Sequence, residues 1–201
     1  MAKTTFEEEV YLRALTGRLV GKAIGDLGAN KLAVVAHKNI ICSSIATATE
    51  VAFLDETDGV VHHFIYEEAE DVVNRVAKFS PEVVLIQMGG ESEVEKIKGD
   101  FKALLKKMAD REIPADLVVH VRTFASGAFD EALKDERIKG YLTNIGVYIY
   151  TVDFDRGRFI LNEAIFDGEG YYLHPILEYH VSMEHADLLN RSLKNRTLRW
   201  G

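Results

Sequence analysis

The chain has a single cysteine, Cys42, in 201 residues. No internal disulfide can form, and the lone thiol fits a reducing, cytoplasmic setting, either as core filler or as a reactive group. No apolar run approaches the ~18 residues of a membrane-spanning helix. The opening stretch from Met1 to Glu9 ends in three consecutive glutamates and lacks the apolar segment of a secretory signal. A basic surplus is missing as well: 24 Lys and Arg against 32 Asp and Glu leave a net charge of -8. That balance argues against nonspecific nucleic-acid binding, which needs cations to neutralise phosphates. Glutamine occurs once, at Gln87, while charged residues make up 28%, a balance that resembles thermophile usage.

What is present suffices for one core, since 47% of the residues are hydrophobic. The exception to the acidic character is local: Arg191, Lys194, Arg196 and Arg199 cluster at the C-terminus beside Trp200. They read either as compensation of a helix dipole or as a tail that docks on an anion or a partner.

Phe6 and Val10, then Leu12, Leu15, Leu19 and Ala23, predict a helix over residues 6–27. Gly17, Gly21 and Gly25 form a second row within it. Each interior glycine costs about 1 kcal/mol relative to alanine. The row therefore needs a reason, either close packing on a sheet or approach by a second copy of the helix. Residues 31–36 and 40–45 predict a hairpin about Lys38-Asn39, with His37 and Cys42 on one face. Residues 51–54 and 60–66 predict another, about the turn ending in Asp58-Gly59. Four antiparallel strands are thus expected over 31–66.

Strand and helix then alternate. Helix 67–79 leads to the continuous apolar run 83–86, of the kind buried on both faces. Helix 92–110 leads to strand 117–121, and helix 127–134, extendable to 142, leads to strand 147–152. These βαβαβ units predict a parallel sheet with right-handed crossovers. A hairpin joins 147–153 to 158–166 through Asp155-Arg156-Gly157, followed by a turn at residues 167–170. Strand 176–181 and a helix over 183–196, capped by Ser182, close the chain. The expected fold is one α/β domain over 1–201 with a mixed sheet: N-terminal antiparallel hairpins, parallel units over 67–152, then a C-terminal hairpin and helix over 153–201. Hairpins first and βα units afterwards is an order similar to ribonuclease-H-like folds, a likeness that implies no activity.

Ligands of such sheets bind beyond the carboxyl ends of the parallel strands, where free helix N–H groups converge. Two loops there combine glycine with serine, Gly89-Gly90-Glu91-Ser92 and Ser126-Gly127. Gly89, Gly90, Ser92, Ser126 and Gly127 are the candidate ligand-binding residues, fitted to a small phosphate or carboxylate. Neither loop matches a dinucleotide or Walker sequence, and both also read as ordinary helix starts with Ser92 as a cap.

Glu178 and His180 share a face at period two, and His185 follows within one helical turn. Two imidazoles and a carboxylate would suit a divalent metal with an open position for water. His62 and His63, adjacent on a strand, point to opposite faces and cannot both reach one ion. His37 near Cys42-Ser43-Ser44 offers a base beside nucleophiles, and Asp153 with Asp155 offers paired carboxylates. No motif is specific enough to name a reaction. The favoured reading is a cytoplasmic, self-associating protein that binds a small anion. Its alternatives are a metal-assisted hydrolase and a structural assembly subunit.

Overall fold

The structure, a computed structural model, describes residues 4–153, 156–168 and 170–195. Its elements are α1 (Phe6–Asp26), β1 (Lys31–His37), α2 (Ile40–Glu56), β2 (Val60–Tyr66), α3 (Ala69–Phe79), β3 (Val83–Gln87), α4 (Val94–Asp110) and β4 (Asp116–Val119). They continue with α5 (Val121–Ala125), α6 (Ala128–Ala132), α7 (Glu136–Leu142), β5 (Val147–Asp153), β6 (Arg158–Phe166), β7 (Tyr171–His180) and α8 (Met183–Asn195).

Among the described residues all strands join one seven-stranded mixed sheet in the order β2-β1-β3-β4-β5-β6-β7. The first five positions are parallel, and β6 and β7 add antiparallel partners at one edge. Leu32, Val34 and Ala36 of β1 pack toward α1 and α2, while Ala33 and Val35 pack toward α3 and α4. Burial on both faces explains why the central strands read as unbroken apolar runs.

The mixed α/β sheet is as expected, but its N-terminal part is not. Residues 40–56 form α2, so the expected hairpins over 31–66 are replaced by a crossover, and β1 pairs with β2 in parallel from Lys31↔Val60 to His37↔Tyr66. Asn39, expected in a hairpin turn, is the N-cap of α2, its side chain accepting from the amide of Cys42 at 2.8 Å. The stretch is rich in Ile, Val and Thr and apolar on most sides, so no helical stripe betrays it. The resulting order is the doubly wound 2-1-3-4-5 arrangement, not the hairpin-first one.

The glycine row has its reason in α2. A Cβ at Gly17 would stand 2.5 Å from the carbonyl oxygen of Ile45, and one at Gly21 would stand 2.2 Å from that of Thr49. The backbones of α1 and α2 touch, so the row is spent inside the chain and not on a second copy.

Other boundaries shift modestly. Strand β4 stops at Val119 and Val121 opens α5; helix 127–142 is broken into α6 and α7; β7 begins at Tyr171 and carries a bulge at Ile176 beside Pro175. Ser182 accepts from the amide of His185 at 3.1 Å, as expected of the α8 cap. Asp155, the turn residue Glu169, Arg196, Arg199 and Trp200 lie outside the described residues. No helix among the described residues is long and apolar enough to cross a membrane.

Candidate functional site

The chain reverses direction across the sheet between β1 and β3: β1 is followed by α2 on one face, and β3 by α4 on the other. Past the strand ends their loops touch, Asn39 meeting Gly90, and a crevice lies beside them on the α1 and α2 face. A cavity of about 570 Å³ occupies it, walled by Ile41, Ile45, Val121, Phe124 and Leu189. That size suits a small ligand. A larger groove, about 1370 Å³, runs along the outside of α1 and α2, reaching Lys38 and Asn39 after β1 and His180 at the end of β7.

The polar groups of the smaller cavity come from the ends of β3 and β4, from α5 and from the neighbouring helices α1 and α2. Gln87 terminates β3 with 1% exposure. Its Nε2 donates to Thr49 Oγ1 at 3.4 Å, and Thr49 in turn donates to the carbonyl of Ile45 at 2.8 Å. Because the Thr49 proton is already used, Thr49 can only accept from Gln87. That orients the amide and leaves Gln87 Oε1 buried without a partner.

His120 follows β4. Its Nδ1 accepts from the amide of Arg122 at 3.1 Å, so the ring proton sits on Nε2. Burial, with Arg13 and Arg122 adding to it, pushes the imidazole down to about 3, and it is neutral near pH 7.

Arg122 is 3% exposed and bonds the carbonyls of Gly90 and Ser92, the latter at 3.2 Å. Burial lowers its affinity for the proton, and the nearby Arg13 lowers it further. Arg13 is paired with Glu9 at 3.2 Å. Cys42 also lines the cavity, its thiol pushed up by burial.

Gly90, Ser92 and Ser126 line one neighbouring cleft of about 860 Å³, which shares Gly90, Ile41 and Arg122 with the cavity. The two glycine-serine loops thus meet on one side of the fold. Gly89 and Gly90 have φ of +144° and +59°, and a Cβ at Gly90 would come 2.3 Å from Asn39 Oδ1. Here glycine serves the approach of the β1 and β3 loops. Gly127, at φ +76°, starts α6 and has nothing near its missing Cβ.

Ser92 is not the cap of α4. That position belongs to Glu93, and the Ser92 hydroxyl lies 3.1 Å from His37 Nδ1.

The proposed metal ligands do not converge. Glu178 reaches Arg156 at 4.0 Å, while His185 is buried against Thr16 Oγ1 at 3.1 Å. His180 and His185 both rim the outer groove, which Glu178 does not line. Among the described residues no three His, Cys, Asp or Glu side chains are grouped to hold an ion. His63 pairs with Glu50 at 2.9 Å and His62 packs at a tilt against the Phe64 ring, on opposite faces of β2. Arg191, from the basic C-terminal cluster, is bidentate to Glu8 at 2.8 and 2.9 Å.

Arg13, Gln87, His120 and Arg122 were not legible as site residues. The one available signal was a polar side chain closing an apolar strand, as Gln87 does after Val83 to Ile86. That signal marks a strand end without saying what meets it.

Several solved structures share the fold. A solute binding protein of an ABC transporter from Rhodopseudomonas palustris BisB5, in complex with 3,4-dihydroxybenzoic acid, is similar with TM-score 0.57 and 9% identity over 86% of this chain and 66% of that one. The solute binding protein from Rhodopseudomonas palustris HaA2, in complex with p-hydroxybenzoic acid, gives TM-score 0.56 and 10% identity, with coverages of 86% and 66%. Full-length LpoA from Haemophilus influenzae gives 0.51 and 9%, with coverages of 72% and 24%. The chain therefore spans just under two thirds of the solute binding proteins it resembles, and the likeness at such identity is one of fold. No curated protein matches it by sequence. Residues 9–188 match a protein family described as "Uncharacterized protein", and the chain belongs to that family.

Proposed function

We propose that the chain binds a small organic acid that also carries a hydroxyl or amine donor, in the cavity at the ends of β3 and β4. The observation that carries this reading is the pairing of buried Arg122 with the unpartnered Gln87 Oε1 on the wall of one apolar cavity. A guanidinium suits a carboxylate. An oriented, buried acceptor demands a donor, and leaving it unpaired costs about 1–3 kcal/mol. The apolar walls suit a compact hydrocarbon or aromatic body. Hydroxybenzoic acids, named with two of the fold neighbours, belong to this class and serve as probes.

Titration calorimetry with 4-hydroxybenzoate and benzoate tests the reading. The hydroxylated acid should bind at least ~10-fold more tightly, because benzoate leaves Gln87 unsatisfied. Arg122→Met should weaken both. No heat from either acid at millimolar concentration, with the fold intact, would remove the proposal.

A reducing, cytoplasmic setting belongs to the same reading, on the support of the single buried thiol. A homodimer is a second reading, favoured by the outer face of α2, where Ile40, Val51 and Leu54 are 58%, 63% and 47% exposed. A strict monomer by light scattering at high concentration would dismiss it.

A further inference from the structure

His37 ends β1 with 4% exposure and stands between two groups. On one side Ser92 Oγ lies 3.1 Å from Nδ1; on the other Asp100 Oδ2 lies 3.1 Å from Nε2. The amide of Gly89 also donates to Nδ1, at 3.3 Å. Nδ1 is therefore the unprotonated nitrogen, and the ring proton is on Nε2, facing the carboxylate. The Nε2–Asp100 contact is out of line for a hydrogen bond, so it acts as an electrostatic one.

Three further facts set this array apart from a loop staple. Ser92 is free of capping duty, because Glu93 takes the N-cap position. It is half-buried on the wall of the open 860 Å³ cleft, so a substrate can reach it. Its loop is held by Arg122, which bonds the carbonyls of Gly90 and Ser92.

We propose that Ser92, His37 and Asp100 form an acyl-transfer site that hydrolyses small carboxylic esters. Ser92 Oγ attacks the ester carbonyl carbon while its proton passes to His37 Nδ1. The carbonyl π pair moves to oxygen, then returns as the C–O bond to the alcohol breaks, and His37 protonates the departing alkoxide. Water next adds to the acyl carbon, giving its proton to His37, which hands it to Ser92 as the C–Oγ bond breaks and the acid leaves. Glu93 makes no side-chain cap bond, and the first-turn amides of α4, which helix geometry leaves without intrahelical partners, are the donors nearest in the chain for the oxyanion. Asp100 acts through His37 as a positioning residue. This inference stands on its own geometry and does not depend on the ligand cavity.

The groups facing the imidazole are Asp100 and Lys96 from α4, Tyr66 from β2, the Gly89 amide and Ser92, with Lys38 and Glu91 across the shallow mouth. Burial and Lys96 lower the affinity of His37 for a proton, while Asp100 and the Gly89 contact raise it. Near neutral pH the ring is a free base.

The full chain is treated with p-nitrophenyl acetate and, separately, with a fluorophosphonate probe. The expected result is a burst near one equivalent of nitrophenol and a single adduct on the peptide that contains Ser92. Ser92→Ala should abolish both. His37→Gly should slow acylation by ~100-fold or more and recover in part with added imidazole, a rescue that only a folded site can show. Asp100→Asn should move the acid limb of the rate profile to lower pH, because the group that raises His37 is gone. Adducts only on other residues, an undiminished rate in Ser92→Ala, or no adduct at all would overturn the proposal.

Discussion

A side chain at Gly21 of α1 would meet the carbonyl oxygen of Thr49 on α2, since a Cβ there comes to 2.2 Å. Gly21→Ala should therefore destabilise the protein by ~2 kcal/mol or more, because the overlap outweighs the ~1 kcal/mol gained in helix propensity. Gly99, exposed in α4 with nothing within 4 Å of its missing Cβ, is the control. There Gly99→Ala should stabilise by ~1 kcal/mol, and urea unfolding of the two variants measures both.

Gln87 joins the sheet to the cavity. Gln87→Leu removes the unpartnered Oε1 and keeps the apolar volume, so it should leave stability within ~1 kcal/mol of the parent or raise it. The same change should erase the preference for 4-hydroxybenzoate over benzoate. An unaltered preference in calorimetry would place the donor contact elsewhere.

His120 and His185 are held neutral, pushed down to about 3 and about 4 by burial, with Arg13 adding to it in each case. Both folded values lie below the ordinary histidine value near 6.5, so the unfolded chain takes up protons first as the pH falls. The stability they contribute is complete above ~6.5 and is lost progressively down to about 4 for His185 and about 3 for His120. Each adds a slope of up to ~1.4 kcal/mol per pH unit in its window. Denaturant melts from pH 7 to pH 4 should show this loss, and His185→Asn should flatten it.

Helix α8 is fastened to α1 mainly through polar groups. Arg191 grips Glu8 at 2.8 and 2.9 Å, Ser192 donates to Glu9 at 2.9 Å and His185 meets Thr16 at 3.1 Å. Leu188 is its one fully buried apolar side chain among those described. Arg191→Ala should speed amide exchange in α8 by ~3- to 10-fold, while the amides of β1 and β3 stay unchanged. High salt should act in the same direction.

Much of the second half was legible because its signals are local. The run from Val83 to Ile86 needs a covered central strand, Ser182 needs a helix after it, and the alternation from Glu67 onward leaves few arrangements other than a parallel sheet. The crevice loops at Gly90, Ser92 and Ser126 followed from that sheet alone. Residues 40–56 misled because they are apolar on most sides and rich in β-branched residues. Where a helix is buried against both a sheet and another helix, neither period stands out.

By itself the sequence determined the class of the fold: a charged exterior, a core large enough for one sheet, and strands and helices in alternation after Tyr66. Tertiary structure alone decided what the glycine row packs against, and that Glu178, His180 and His185 stay apart. It also decided that Gln87, His120 and Arg122 share a cavity and that Ser92 and Asp100 flank His37. The physical reason is distance along the chain. Hydrophobic period and caps act over a few residues, whereas His37 and Ser92 meet only because parallel pairing of β1 with β3 brings two loops, 55 residues apart, to the same edge of the sheet.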